Sequence, residues 1–571
     1  MTVKATRTPT PATQPGAEKA SAEKPRGFRQ SMAWLHTWAG LLVGWVLFMV
    51  FAFGTVSYYR TTLTDWMQPE RLISVSPDAW HATQPSAETR ATPAVPSFPE
   101  GVRRQMRATT QAADWLAQHA AGASRWTISL PGSGVTNTSV SWQDANGYQT
   151  QILPGSNGLT PRATEGGDFF YNFHFQLRYL PIPIARWIIS ACAMSMLVAL
   201  ISGIVTHRRI FVDFFTFRPR KGQRSWLDAH NVSAVLALPY HLMITYTGLA
   251  TLMVMLMPWG MKERYPDGGA MAFYGEAYDF ALPGKASGQP LPLPPLLPLL
   301  HDATARFGNH ETAVITVDNP GDAAAQLKFS RGTDAKISVA PESVTYDAHG
   351  TVIATRLMDG AAASTVGVMY GLHEARFAPP LLRAIFFLSG LAGTLMVASG
   401  LIIWTNKQRQ KRKIHGDRFH FGLWLVERLN LAAIGGLPLA MAAYFYANRL
   451  IPALQPQRAA LEVQAFFVVW AIAAVHAALR SGRRGWIEQT VAGAAAFAVL
   501  PIVDRLSIGS WVMPGFDLAL LAAAILLGTM ARYLAATPRP ARAPVAPLPG
   551  DKRSARDADR HASASSIHES R

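Results

Sequence analysis

The sequence predicts a mainly α integral membrane protein: a duplicated four-helix core carrying two α+β outer domains, plus four C-terminal transmembrane helices. Three observations carry the prediction. Nearly charge-free apolar runs, several of about twenty residues and so long enough to cross a bilayer as helix, alternate with polar stretches rich in Pro, Gly, Ser and Thr. Short, densely basic segments flank those runs, as cytoplasmic loops do. Finally, the order helix, polar domain, histidine, helix occurs twice.

Residues 1–27, rich in Ala, Pro, Thr and Lys, read as a disordered cytoplasmic tail. The first transmembrane helix, 28–59, contains "MAWLHTWAGLLVGWVLFMVFAFGTVSYY"; no small-residue cleavage site ends it, so it reads as a retained helix. Residues 60–180 form the first outer domain, with a helix at "TQAADWLAQHAA" and strands at "RWTISLP", "TSVSWQD" and "YQTQILP" separated by Gly/Asn turns. A second transmembrane helix covers 181–207, a basic loop 208–226 and a third helix 227–261. The second outer domain, 262–378, repeats the pattern with a helix near "LPPLLPLLHDATARFG" and strands from "TAVITVDN" to "TVIATRL". The fourth helix spans 379–406, a basic loop 407–419, four further helices 420–535 and a second disordered cytoplasmic tail 536–571. With eight spans, every basic loop, including 480–485, falls on one side. That places both termini in the cytoplasm and both polar domains in the periplasm of a multi-pass inner-membrane protein, with the lipid bilayer as its first partner.

The chain has 571 residues, 49% of them apolar and 16% charged, and a formal net charge of +17. The excess charge sits beside apolar runs, not on one folded face, which argues against nucleic acid as a partner. The single cysteine, Cys192, excludes an intrachain disulfide, a thiolate-held zinc or iron–sulfur cluster and C-x-x-C-H haem attachment. Neither a P-loop nor a G-x-G-x-x-G between strand and helix is present, and no nucleophile–base signature is visible, so catalytic residues are not assigned. Histidine is the remaining supply of ligands for a redox centre.

Six histidines lie in or beside the four core helices: His36, His174, His207, His230, His241 and His373. With an offset of about 194, His36 falls on His230 and Gly54 on Gly248; after each domain, His174 matches His373, Arg186 matches Arg383 and Gly203 matches Gly400. A polar ring inside a membrane span is costly and has a partner or a purpose. Two copies in the same orientation imply a pseudo-twofold axis along the membrane normal, across which the members of each pair would face one another. Two opposed neutral imidazoles are what six-coordinate haem iron needs, since the porphyrin supplies the other four ligands. His230 and His241, eleven residues apart, would share one face of a straight helix about 16 Å apart, so that one helix would contact two stacked haems. His207 has Trp404 in its repeat position and opens a basic loop, so headgroup contact competes with ligation there. His415, His420 and His476 read as interfacial residues, and Trp34, Trp38, Trp45, Tyr58 and Tyr59 as interface belt and helix packing. The stripe Gly390, Gly393 and Gly400 suits close helix approach or a flat cofactor.

The elements "LHTWAG", "FHFQLRY", "LHEARF", "SGIVTHRR" and "SGLIIW" resemble the PepSY-associated transmembrane helix family, over about residues 30–410. The outer domains look PepSY-like, and the last four helices resemble an extension of larger members. The family includes iron-regulated inner-membrane proteins and ferric-siderophore reductases with two b-type haems. The resemblance therefore implies haem ligation by His36, His174, His230 and His373, with His241 and His207 as additional candidates for the haem iron. It also implies an oxidoreductase passing single electrons from a quinol or a separate flavoprotein to a ferric siderophore or other periplasmic acceptor. Electrons would enter by His36/His230 and leave by His174/His373. Arg178, Tyr179 and Arg376 would lie on the docking face. Two other classes stand beside this reading: a non-redox membrane-anchored binding or regulatory protein, which leaves the intramembrane histidines idle, and a transporter, for which the strong spans lack ion-coupling Asp, Glu or Lys pairs.

Overall fold

A computed structural model describes residues 27–72, 100–132, 137–145, 147–154, 159–207, 218–219, 221–267, 269–279, 284–332, 336–357, 360–415, 419–480 and 482–536. The tails expected at 1–27 and 536–571, except Gly27 and Ala536, and most of the basic loop 208–226 lie outside these residues.

Seven helices among the described residues are long and apolar enough to cross a membrane. They are α1 (Phe28–Ser57), α5 (Ile182–Thr206), α10 (Pro380–His415), α11 (Phe421–Leu450), α12 (Arg458–Leu479), α13 (Arg483–Ile508) and α14 (Pro514–Ala536). Their exposed surfaces carry Leu, Ile and Val, as surfaces facing acyl chains do. Helix α11 contains one π turn at Leu431–Gly435.

The eighth expected span is not one straight helix. It is a pair, α6 (Gln223–Leu236) and α7 (Leu238–Thr251), bent by 69°. The cause is local: Pro239 has no N–H to donate to the carbonyl of Val235, and its ring crowds the preceding turn. Ala237 takes up the break at φ −112°, ψ 23°. His230 and His241 therefore sit on different segments, and the shared helical face expected of them does not form.

The two polar segments supply one sheet between them. Strands β1 (Arg125–Ser129), β2 (Ser139–Asp144) and β3 (Gly147–Ile152) come from the first, and β4 (Thr312–Asp318), β5 (Gln326–Arg331), β6 (Ser343–Asp347) and β7 (Val352–Arg356) from the second. All neighbours are antiparallel, in the order β3-β2-β1-β4-β5-β6-β7. The seam pairs Trp126 with Val317 and Ile128 with Ile315, and Arg125 closes it with a 3.0 Å bond from Nη2 to Asp318 Oδ2. An edge strand left unpaired exposes a row of N–H and C=O groups, and joining the first strand of each segment removes two such edges. Helices α3 (Glu100–His119) and α8 (Leu296–Arg306) contribute Ala112, Leu116, Leu300 and Ala303 to one core with Ile128, Val140, Ile315, Phe329 and Val344.

Below the sheet, α1 packs on α5 and α10, α6 on α10, and α7 on α5. Three short elements at the sheet end connect to these helices: α2 (Arg60–Met67), α4 (Asp168–Gln176) and α9 (Ala361–Glu374). The C-terminal helices join the rest through an aromatic cluster of Phe53, Phe169, Phe170, Phe173, Tyr444, Phe445 and Phe466. Ring centroids there are 4.9–6.4 Å apart in tilted and edge-on arrangements that aromatic quadrupoles favour.

Candidate functional site: two imidazole pairs

Four of the six histidines meet in two pairs. His36 on α1 and His230 on α6 have ring centroids 6.3 Å apart, their planes at 76°. His174 on α4 and His373 on α9 are 6.0 Å apart, at 37°.

One local device holds each ring. The imidazole lies on a glycine of a neighbouring helix and donates Nδ1–H to that helix, for three of the four rings to the carbonyl four residues before the glycine. His36 rests on Gly203 and bonds Ala199 O at 2.8 Å; His230 rests on Gly400 and bonds Met396 O at 2.9 Å. His174 rests on Gly54 and bonds Val50 O at 2.8 Å. His373 rests on Gly248 and bonds Thr247 Oγ1 at 3.1 Å; that hydroxyl's own hydrogen goes to Met243 O at 2.7 Å, so His373 is the donor. The glycine matters because a Cβ would meet the ring, at 2.7 Å from His174 Cε1 and 2.9 Å from His373 Cε1. Accepting carbonyls fix the tautomer with the hydrogen on Nδ1 and the lone pair on Nε2. The four glycines are those that the sequence offset brings into register.

The spacing fits a metal that brings its own equatorial ligands. Two collinear metal–nitrogen bonds of about 2.0 Å, with half an imidazole at each end, span about 6.4 Å between ring centres. Among the described residues no group of three or more His, Cys, Asp or Glu side chains gathers at a point that could hold a metal ion. Sites that offer only two protein ligands suit a porphyrin-held iron and not a bare ion. Around His174 and His373 opens a cavity of about 910 Å³, bounded also by Gly54, Gly248, Arg186 and Arg383. Its volume is ample for a flat macrocycle.

The cavity rim is polar. Tyr171 donates to Glu374 at 3.0 Å, Arg376 pairs with Glu374 at 2.6 Å, and Arg60 pairs with Asp168 while lying 4.5 Å above the Tyr171 ring. Burial, with the Glu374 carboxylate beside it, pushes the Tyr171 phenol up to about 12. Burial also lowers His174, against its bond to Val50, and takes His373 down to about 3, with His174 as the second cause. Both imidazoles are therefore neutral at physiological pH, with a lone pair to offer.

The other two histidines belong to neither pair, although His207 lies near enough to His230 to act on its charge. His241 is fully buried on α7, edge-on to Phe51 at 6.1 Å; its Nε2 lies 3.4 Å from Ser389 O and its Nδ1 has no partner among the described residues. His207 ends α5, its backbone N–H on Gly203 O at 3.1 Å. Of the expected docking residues, Arg376 lines the cavity, whereas Arg178 pairs with Glu165 at 2.7 Å and Tyr179 packs at a tilt against Phe467, centroids 5.0 Å apart. His476, read as interfacial, bonds Glu488 at 2.9 Å. Sequence reasoning named Arg376 but missed its rim partners Tyr171 and Glu374 and a buried charge cluster in α11–α14; their members look like ordinary helix ends until the chain is folded.

Comparison with known proteins agrees in extent with the core. The Uncharacterized protein PA4219 of Pseudomonas aeruginosa is 24% identical over 387 residues, covering 63% of this chain and 93% of its own length. The model of the family described as PepSY-associated TM region matches residues 33–407, which contain both imidazole pairs and the whole sheet. The chain is a multi-pass membrane protein and belongs to the PepSY-associated transmembrane family.

Proposed function

We propose that the chain is a haem-b electron-transfer protein of the inner membrane that reduces ferric siderophores at the periplasmic face. The observation that carries this reading is the doubled imidazole pair, each ring anchored through Nδ1 and spaced for a bis-histidine iron. His36 with His230, and His174 with His373, would hold the two groups. When bound, these supply reversible one-electron couples near the two membrane surfaces.

The chain's own residues do the rest. The acceptors behind each Nδ1–H, three carbonyls and the Thr247 hydroxyl, orient the rings and raise their basicity as ligands. Leu47, Phe51, Met196, Leu200 and Met396 form an apolar packing layer in the core that excludes water. His36 and Gly54 mark the two levels on α1, about 27 Å apart along its axis, with Phe51 and His241 between. Arg186, Arg376 and Arg383 line the outer cavity and would draw an anionic chelate to it. Reducing ferric to ferrous iron weakens its hold by hard oxygen ligands, which is why an electron delivered there releases the metal. A quinol or a separate flavoprotein would supply the electrons.

The test begins with colour. Protein purified from haem-replete cells should show a reducible low-spin b-type spectrum with about two haems per chain, the stoichiometry set by two imidazole pairs. His373→Ala should remove or convert to high spin the outer centre, and His230→Ala the inner one. Dithionite-reduced protein mixed anaerobically with ferric siderophores should reoxidise faster than in buffer. A colourless preparation defeats the haem reading; reoxidation by another periplasmic acceptor but by no ferric chelate defeats the siderophore assignment alone.

A further inference from the structure

The C-terminal helices meet α2 and the segment before α4 through a buried cluster of charged groups. Most are matched. Arg458 pairs with Glu462, both fully buried, and Arg162 pairs with Glu70 at 2.6 Å. Arg449 pairs with Asp504, donates to the Trp66 carbonyl, and lies 3.7 Å above the Trp66 ring.

Asp517, on the first turn of α14, is the group left over. It is 3% exposed, and neither of its carboxylate oxygens has a hydrogen-bond partner among the described residues. Asp504 Oδ2 and Trp66 Nε1, in residues 1% and 2% exposed, are without partners as well. These atoms belong to one place: the Asp517 carboxylate faces the Trp66 indole N–H at a geometry looser than a hydrogen bond and feels the charges of Asp504 and Arg449, and the adjacent Phe516 packs on Trp66 with centroids 4.9 Å apart. Three carboxylate oxygens and one indole N–H therefore converge beside a single guanidinium.

Charge decides what such a site holds. Arg449 offsets one of the two carboxylates, and one negative charge remains where water is excluded. A buried charge is strongly unfavourable unless it is paired. A water molecule would satisfy the Trp66 N–H and bridge the oxygens but would bring no charge. Two carboxylates beside an arginine are too few, and too nearly neutralised, for a divalent ion. We propose that Trp66, Arg449, Asp504 and Asp517 form a buried site for one monovalent cation, shared between the two carboxylates as a proton or an alkali ion. The bound charge ties α13 to α14 and both to α2; emptying it leaves two facing carboxylates that repel. This site is independent of the histidine pairs and stands or falls without them.

The experiment uses the full chain in detergent micelles. Infrared spectra in H2O and D2O are recorded for wild type, Asp517→Asn and Asp504→Asn, together with thermal unfolding in sodium chloride against choline chloride at equal ionic strength. A bound proton appears as a deuterium-sensitive carboxylic C=O band that either variant removes. A bound alkali ion appears as a sodium-dependent rise in unfolding temperature in wild type that Asp517→Asn abolishes. The sodium response of the wild-type protein needs no variant to fold. If neither substitution changes the carboxylic region and wild-type unfolding ignores sodium, the proposal is overturned and these groups are bridged only by neutral water.

Discussion

Gly54→Ala is the sharpest probe of the imidazole cradle. The added methyl would lie 2.7 Å from His174 Cε1 and 2.9 Å from Nδ1, on a ring held by a 2.8 Å bond to Val50 O. Carbon atoms rest about 3.5–4.0 Å apart, so the ring must retreat by roughly 0.8 Å or more. Metal–ligand distances tolerate about 0.2 Å. The displacement exceeds that tolerance several-fold, so the outer centre should lose its low-spin character or its occupancy. Gly248→Ala, at 2.9 Å from His373 Cε1, should do the same from the other side. Gly203→Ala and Gly400→Ala meet His36 and His230 at 3.2 and 3.3 Å, so their rings need give only a few tenths of an ångström, and the inner centre should survive with a shifted spectrum. Haem content by pyridine haemochromogen and low-temperature electron paramagnetic resonance of each variant reads the effect, with the inner centre as the internal control for folding. Full low-spin occupancy of the outer centre in Gly54→Ala, or loss of the inner centre in Gly203→Ala with the outer one intact, would refute the cradle argument.

Three other predictions concern the frame. Asp318→Ala removes the two-bond carboxylate partner of Arg125 at the seam between β1 and β4, side chains only 11% and 15% exposed, and should destabilise the sheet by about 2–3 kcal/mol in thermal unfolding. Asp322 accepts from the Ser287 hydroxyl and from the N–H groups of Ser287, Gly288 and Ala324, and these bonds, the Ser287 hydroxyl first, hold it down to about 2. Because its folded value is depressed, the stability it contributes is present above the ordinary carboxylate range and is lost as pH falls toward 2. The gap in unfolding temperature between wild type and Asp322→Asn should therefore close as pH is lowered from 5 to 2.5. Reporter fusions at 215, 412 and 483 should read inside, and at 150, 320, 455 and 508 outside; a reversed reading at either large polar segment would overturn the orientation.

Hydropathy and charge placement made the helical spans legible, because exclusion of charge from lipid is a constraint on each segment alone. The repeat made the four cradle histidines and their glycines legible for a related reason: positions that recur in register share surroundings, whatever those surroundings are. The carbonyls at Val50, Ala199 and Met396 were not legible, since any helix offers such an acceptor and only the docked helix selects one. Periodicity likewise predicted strands in both polar segments but could not say that β1 would pair with β4, because backbone hydrogen bonds across a seam carry no side-chain signature. Pro239 was in plain view, yet whether a proline kinks a span or ends it depends on what packs around the freed carbonyl. The charge cluster of Arg449, Arg458, Glu462, Asp504 and Asp517 shows the limit most plainly. Each residue lies at or near a helix end, where charge ordinarily meets water or headgroups. By itself the sequence determined a multi-pass, membrane-embedded helical chain and marked the histidines that its repeated pattern puts in register. The tertiary structure decided which rings face each other, that two polar segments make one sheet, and that those end charges are sealed from solvent, because burial and pairing depend on every element at once.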